Sequence, residues 1–367
     1  MPDPSITIIR KGQLAKADYL AHLDESDCVA TLSPAKRKFL LSNPLSLSDD
    51  DPVQLLGLSN GKVIGRLDVI CGEIQIAVEK HRTLWGSNLY VPVQHRSTLM
   101  GMLLLLELQN ITPLVSVCGV SQQALPLYQQ LGWTEIAMPR YILFRRCNCI
   151  VRRYLGTNAA LRAISEIANG VIRVGLWGLH LVPRLRAGAY TVEQIEEPAS
   201  VIDDLFAHCS RGVSAHRSSR WLQWILSNRL DSDEGGKAAA YVVRNRRGQV
   251  VAYFGLRAKR YPVVTHRQFP DVFLGSLKDW CIADQSGITY LDLIMLACRV
   301  FAEWNVDAVE VCATPDSPVS LRTLGFIPAG ALRFFAISDS KHPITDQFAL
   351  TQILCGIRPA ESDNFYG

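Results

Sequence analysis

The 367-residue chain is 48% hydrophobic and 20% charged, a soluble globular composition long enough for two domains. A formal net charge of +4 is too small to imply nucleic acid by itself, and without zinc-finger spacing or an RNA-recognition aromatic motif no nucleic-acid partner is expected. Ten cysteines without a CxxC spacing read as buried free thiols, and eight histidines without an HExxH spacing give no expectation of a metal site. MPDPSITIIR has no signal-peptide apolar region, and no run reaches the roughly 20 apolar residues of a membrane span, so a cytoplasmic location is the expectation.

In chain order, Ile6 to Arg10 predicts a strand, and Leu14 to Leu23 a helix with apolar positions at Leu14, Ala17 and Ala21. Ser42 to Pro52 is a loop. Val53 to Leu58 and Lys62 to Val69 flank Asn60-Gly61, a strong hairpin signal because both residues accept positive φ. Leu89 to Val93 reads as a strand that enters a basic turn and then the apolar helix Leu99 to Leu108, with Ser97 or Thr98 as its cap. A buried helix that starts at a surface turn points free N–H groups outward, and with Arg96 these suit a phosphate or pyrophosphate. Val115 to Cys118 is a second apolar strand. Ser121 to Trp133 is a helix stopped by Gly132, and Tyr141 to Phe144 is a strand.

Two motifs here resemble the GNAT superfamily of acyl-CoA N-acyltransferases. Val91, Arg96 and Gly101 match parts of its Val-x-x-x-x-Arg-x-x-Gly-x-Gly turn, and Ala124, Leu127, Tyr128, Gly132 and Trp133 match its Ala-x-x-Leu-Tyr-x-x-x-Gly-Phe helix ending. Leu99 stands where the first turn glycine is expected, and Ser121 where the superfamily often has asparagine. The resemblance implies an acyl-CoA site, for acetyl-CoA or another acyl-CoA, formed by Val91, Val93, Arg96, Ser97, Thr98, Leu99, Met100 and Gly101. It also implies that Tyr128 is the acid for the leaving thiolate. Glu73, Glu79 and His81 lie in the region that faces acceptors in the superfamily; sequence distinguishes none of them as the base and a water relay is an equal alternative, with Glu79 carried forward as the candidate.

Arg140 to Ala187 holds nine arginines against a single acid, Glu166. Asn158 to Asn169 predicts a helix with Gly170 as its stop, followed by an apolar run to Leu185 interrupted by Arg173, His180 and Pro183. The segment reads as a basic linker packed across two lobes. Contact with an anionic membrane surface through residues 140–187 is the functional alternative, favoured by Trp177 and Leu179 beside arginines.

From Tyr190 the order of elements repeats. Tyr190 to Ile195 is a strand, Ala199 to Cys209 a helix, and Ala238 to Arg244 with Gln249 to Leu256 a hairpin. Val272 to Cys281 includes a strand, Tyr290 to Trp304 is a buried helix, Ala308 to Cys312 a strand, and Pro318 to Phe326 a short helix ending Leu-Gly-Phe, as Leu131-Gly132-Trp133 ends the first. Leu321 replaces Tyr128, so the second copy is degenerate. Arg217 to Arg229 resembles the aromatic-basic box of tandem GNAT-like proteins from bacterial polysaccharide loci. Trp221 and Trp224 are its candidate acceptor walls, and the likeness extends loosely to Leu350, Thr351 and Asp363.

The fold expectation is α/β with a mixed sheet, made of two GNAT-like lobes in tandem: residues 1–146, a basic linker at 147–188, and a degenerate lobe at 189–367. The expected function is transfer of an acyl group, acetyl first, from acyl-CoA to a primary amine of a small molecule or amino sugar. A non-catalytic acyl-CoA sensor or scaffold, and a Fem-type aminoacyl ligase, are the alternatives.

Overall fold

The computed structural model describes residues 4–338 except 22, 25–29, 77–78, 149, 152–158, 198–199, 209–212, 216, 229–235, 262–271, 285 and 314–316. Strand β1 (Ser5–Arg10) leads into a single helical turn, α1 (Lys11–Leu14), rather than the helix expected to Leu23. The Arg37 guanidinium explains the early stop. It donates to the carbonyls of Leu14 at 2.9 Å and Lys16 at 2.6 Å, taking the acceptors that further helical turns need. Arg37 itself sits on α2 (Pro34–Leu41), an element not anticipated, although Ser33 and Pro34 supply a textually plain start: Ser33 Oγ accepts from Lys36 N, and Pro34 takes the first helical position.

Strands β2 (Pro52–Ser59) and β3 (Lys62–Ile76) turn at Asn60 and Gly61, whose φ values are 54° and 75°, and β3 pairs with β4 (Glu79–Tyr90). Strand structure thus ends at Tyr90. Pro92, which lacks the N–H a ladder requires, opens a 3-10 helix over Val93–Thr98 where a strand was expected to reach Val93. Next come α3 (Met100–Ile111), β5 (Leu114–Cys118), α4 (Leu125–Gln130) and β6 (Thr134–Phe144).

The arginine-rich segment forms helices α5 (Ala159–Leu179) and α6 (Leu181–Ala187). Gly170 does not stop α5. Asn169 accepts from Cys147 N at 2.8 Å and donates to Asn148 Oδ1 at 2.8 Å, so tertiary contacts hold the helix through a residue of poor propensity. The second half supplies β7 (Thr191–Gln194), α7 (Ser200–His208), β8 (Val213–Ala215), α8 (Ser219–Ser227), β9 (Lys237–Arg244), β10 (Val250–Tyr261) and β11 (Val272–Ile282). It closes with α9 (Tyr290–Trp304), β12 (Ala308–Cys312), α10 (Pro318–Thr323) and β13 (Ile327–Ser338). Leu350, Thr351 and Asp363 lie outside the described residues.

Among the described residues, thirteen strands form one mixed sheet in the order β1-β2-β3-β4-β5-β13-β6-β12-β11-β10-β9-β7, with β8 pairing β3. The order shows that the halves exchange their last strands. β13 pairs antiparallel with β5 of the first half, and β6 pairs antiparallel with β12 of the second. Alternation along β13 sends Phe334 into a core shared by both halves, with Trp85 at 5.8 Å, and Phe335 into the separate core under α3. That second core joins Met100, Leu104, Leu105 and Leu108 of α3 to Val115, Val117 and Tyr128. Met100 can sit so close to the sheet because Gly57 is bare: a Cβ there would meet Met100 Sδ at 2.1 Å. Cys71, Cys147 and Cys298 carry free thiols, as expected, but Cys281 is disulfide-bonded, which corrects the reading that all thiols are free.

Candidate active site at the strand fork

β4 and β5 run parallel and pair only over Leu84–Val115, Trp85–Ser116 and Gly86–Val117. The fork that follows is built into β4. Asp68 of β3 faces Ser87 and Arg66 faces Tyr90, so Leu67 alone opposes Asn88 and Leu89, a bulge that bends β4 away from its neighbour. Asn88 takes φ 51°, and its amide donates to the fully buried Asp68 Oδ2 at 3.0 Å. Asn is among the few residues that tolerate this backbone state, and its side chain pins the bulge. On the other side, β5 is held by β13, with Gly119 N donating to Arg333 O at 2.9 Å.

The fork encloses a cavity of about 300 Å³ lined by Ser87, Leu89, Cys118, Val120, Ser121 and Tyr128 among others. Ser87 Oγ is buried there without a hydrogen-bond partner among the described residues, an arrangement that costs free energy unless a ligand supplies the partner. Tyr128 comes from α4 and is 3% exposed. Its ring stacks on Phe335 at 5.3 Å and meets Trp133 edge-on at 5.2 Å. Burial raises its pKa well above that of an ordinary phenol, so it remains a neutral donor across the working pH range.

The candidate pyrophosphate turn lies at the start of α3. Leu99 is its N-cap, in the left-handed region at φ 59°, ψ 11°, and no side chain caps the helix. The backbone therefore adopts the conformation for which glycine was expected, with leucine paying the steric penalty of about 1–2 kcal/mol. Ser97 and Thr98 are not the cap: both are exposed, and Thr98 Oγ1 donates instead to His95 O at 2.7 Å. Val93 and Arg96 are also exposed, and Arg96 Nε donates to Val91 O at 3.3 Å. Gly101 lies against Leu127, whose Cδ1 would be 3.4 Å from a Cβ, so the first turn of α3 packs on the helix that carries Tyr128.

The structure does not gather every candidate here. Glu79 pairs with Ile76 at the far end of the β3–β4 hairpin, eight positions before Ser87, or about 26 Å along the strand. Glu73 and His81 also lie towards that end, facing Arg82 and Ile74, and none of the three lines the cavity. Trp221 and Trp224 are core residues rather than acceptor walls. Trp224 stacks on Phe39 with centroids 4.3 Å apart and donates from Nε1 to Phe39 O at 3.0 Å, while Trp221 is 7% exposed beneath the Arg217 guanidinium.

The second half repeats the fork. β11 and β12 pair parallel from Leu274–Ala308 to Ser276–Glu310, and β11 then bulges against β10, since Leu256 faces Leu277 while Gly255 faces Asp279. The bulged residue is Lys278. It lines a cavity of about 310 Å³ with Arg140, Tyr261, Glu310 and Arg333, and this cavity shares Gly119 and Val120 with the first. Glu310 is held by Arg140 at 3.1 Å and by the Ser276 hydroxyl at 3.2 Å. Burial pushes the Lys278 ammonium below the usual lysine range, with nearby Glu310 opposing the shift. Sequence reading missed Ser87, Asn88, Lys278 and Glu310. Only Asn88, a strand breaker inside an apolar run, left a signal.

Neither a scan of protein-family models nor a search of curated sequences finds a match. Solved structures do match. Saccharomyces cerevisiae N-myristoyltransferase with bound myristoyl-CoA superposes with TM-score 0.57 at 14% identity, over 92% of this chain and 80% of that one. A GCN5-related N-acetyltransferase from Anabaena variabilis gives TM-score 0.53 at 8% identity, over 91% and 72%. At these identities the likeness establishes the fold. The chain shares the fold of these two proteins, built here as one mixed sheet, in agreement with the expected GNAT-like fold.

Proposed function

We propose that the protein is an acyl-CoA-dependent N-acyltransferase whose first fork binds the acyl-CoA and whose acceptor is a primary amine of a small molecule. The observation that carries the reading is the fork itself, an enclosed strand opening with the unpartnered Ser87 hydroxyl on its wall and a protonated Tyr128 at its base. The fit of a coenzyme is supported by three features of these residues. Ser87 lacks a partner, the diverging strands leave backbone edges for an amide-bearing arm, and the uncapped start of α3 offers N–H groups beside Arg96 for phosphates. Retention of a left-handed leucine at that turn supports a functional demand on its shape.

Acyl-CoA, when bound, supplies an activated thioester carbonyl. Tyr128 serves as hydrogen-bond donor to the departing sulfur, and Ser87 orients the arm that leads to it. The amine docks in the adjoining cavity, where Lys278, its charged form disfavoured by burial, accepts the proton that the amine must lose. An acetyl donor and an amino-sugar acceptor are the first pair to test.

Titration calorimetry with acetyl-CoA and longer acyl-CoAs tests the coenzyme half of the proposal. Micromolar binding, near −8 kcal/mol, is expected. Arg96→Glu is expected to weaken it by roughly a hundredfold through lost charge-assisted hydrogen bonds. The absence of binding by every acyl-CoA would remove the first fork as a cofactor site.

A further inference from the structure

A cavity of about 600 Å³ lies away from both forks, between helices α5 and α6 and helix α9. Five arginines line it: Arg145 and Arg146 after β6, Arg173 on α5, Arg184 on α6 and Arg299 on α9. No carboxylate does. Arg146 reaches Asp307 at 4.0 Å and Arg145 donates to Cys298 O at 2.7 Å. Arg173, Arg184 and Arg299 have no acidic partner among the described residues. Burial and the charges of Arg184, Arg146 and Arg173 disfavour the charged form of Arg145, with Cys298 opposing.

The same pair of consecutive helices has a second unusual face. Its inner side packs on the body: Leu176 lines the cavity, and His180 Nε2 donates to Leu324 O at 2.9 Å in the Leu-Gly-Phe turn of the second half. Its outer side carries Ile164, Ile167, Val171, Val174, Leu181 and Leu185 at helical spacing, all exposed, with Ile167, Val174 and Leu185 above 70%, and Trp177 is exposed beside them. Among the described residues, no helix is long and apolar enough to cross a membrane. A stripe of this length suits a helix that lies in the interface, with its apolar side in the acyl boundary and arginines at headgroup level.

We propose that the arginine-lined cavity and the adjoining apolar stripe form one site for an anionic phospholipid bilayer, with headgroup phosphates entering the cavity while α5 and α6 lie in the surface. Charge complementarity selects this occupant over a second copy of the chain. Stacking two such stripes brings two unneutralised arginine clusters together, whereas a phosphate-bearing surface neutralises both the cluster and the stripe's exposure. The assignment is independent of the reaction at the forks.

Vesicle flotation tests it. The intact protein is expected to float with phosphatidylcholine vesicles containing phosphatidylglycerol, to remain behind with phosphatidylcholine alone, and to be released as salt screens the attraction. Arg173→Gln with Arg184→Gln is expected to weaken partitioning about fivefold per arginine, about 25-fold for the pair. Val171→Ser with Val174→Ser is expected to weaken it as well. All four side chains are exposed, and unchanged melting curves confirm that the variants fold. Absence of flotation on anionic vesicles, or flotation indifferent to both variant pairs, overturns the proposal. So does saturable stabilisation by soluble glycerol phosphate without vesicle binding, which would assign the cavity to a free phosphate ester. Dimerisation abolished by the valine pair, again without vesicle binding, would assign the stripe to a second copy.

Discussion

Replacing Tyr128 by phenylalanine separates the chemical role of the first fork from its architecture. The ring is held by Phe335 at 5.3 Å and Trp133 at 5.2 Å, contacts that phenylalanine keeps, and the hydroxyl makes no hydrogen bond to another described residue. Stability should therefore change by less than about 0.5 kcal/mol, and acyl-CoA affinity by less than about twofold. Turnover should respond differently. General-acid catalysis contributes roughly 10²–10⁴-fold, and the raised pKa of Tyr128 points to the lower end. Full transfer from a phenol above its usual value of about 10 to a thiolate near 8.5 is uphill, leaving mainly hydrogen-bond stabilisation of the sulfur. A loss of about a hundredfold, or roughly 2.7 kcal/mol of barrier, is the expected result. Free-thiol release measured across amino sugars, polyamines and amino acids is the assay. An active wild type with an unimpaired phenylalanine variant would refute the reasoning about Tyr128, and coenzyme binding without thiol release from any acceptor would favour a sensor.

Ser87→Ala should leave stability unchanged or raise it by up to about 1 kcal/mol, since it deletes an unpartnered buried hydroxyl, yet weaken acyl-CoA binding about fivefold by calorimetry. Because the folded-state pKa of Tyr128 is raised, its contribution is intact below pH about 10 and is lost as pH climbs beyond it; melting temperatures across this alkaline range should fall more steeply for wild type than for Tyr128→Phe. Trp224→Ala should cost about 3–5 kcal/mol in denaturant unfolding, because it removes the stack on Phe39 and the bond to its carbonyl, while the acceptor preference of the remaining folded protein stays unchanged. Arg217→Ala should cost a similar amount, about 3–5 kcal/mol, by leaving Asp279 buried without its 2.9 Å partner.

What could be read in the sequence was local. The Asn60-Gly61 turn, β5, the Gly132 helix stop, and the order of elements in the second half follow from turn chemistry and periodicity, and all recur in the structure. The start of α3 was legible to within a residue, but a 3-10 helix precedes it in place of the expected strand end, and Leu99 rather than Ser97 or Thr98 is its N-cap. The misreadings have distant causes. Trp224 looked like a pocket wall because its partner, Phe39, lies 185 residues earlier. The helix expected to Leu23 is cut short by Arg37, and Gly170 is carried through α5 by Asn169. Both forks depend on bulges, a matter of register between strands, and register is not written in either strand alone.

The exchange of β6 and β13 also governs how the protein comes into being. During synthesis the outer edge of β5 has no strand to pair with until the ribosome has passed Ser338, the last residue of β13. At about 5–20 residues per second, that leaves an apolar edge waiting for roughly 10–45 s, long enough to attract chaperones or a neighbouring nascent chain. A gene truncated anywhere before β13 would therefore yield a product that is incomplete in its first half as well as its second. Phe335, the residue against which Tyr128 stacks, is among the last to arrive. The first fork can be finished only when the second half is, so the two lobes cannot be inherited, expressed or lost separately.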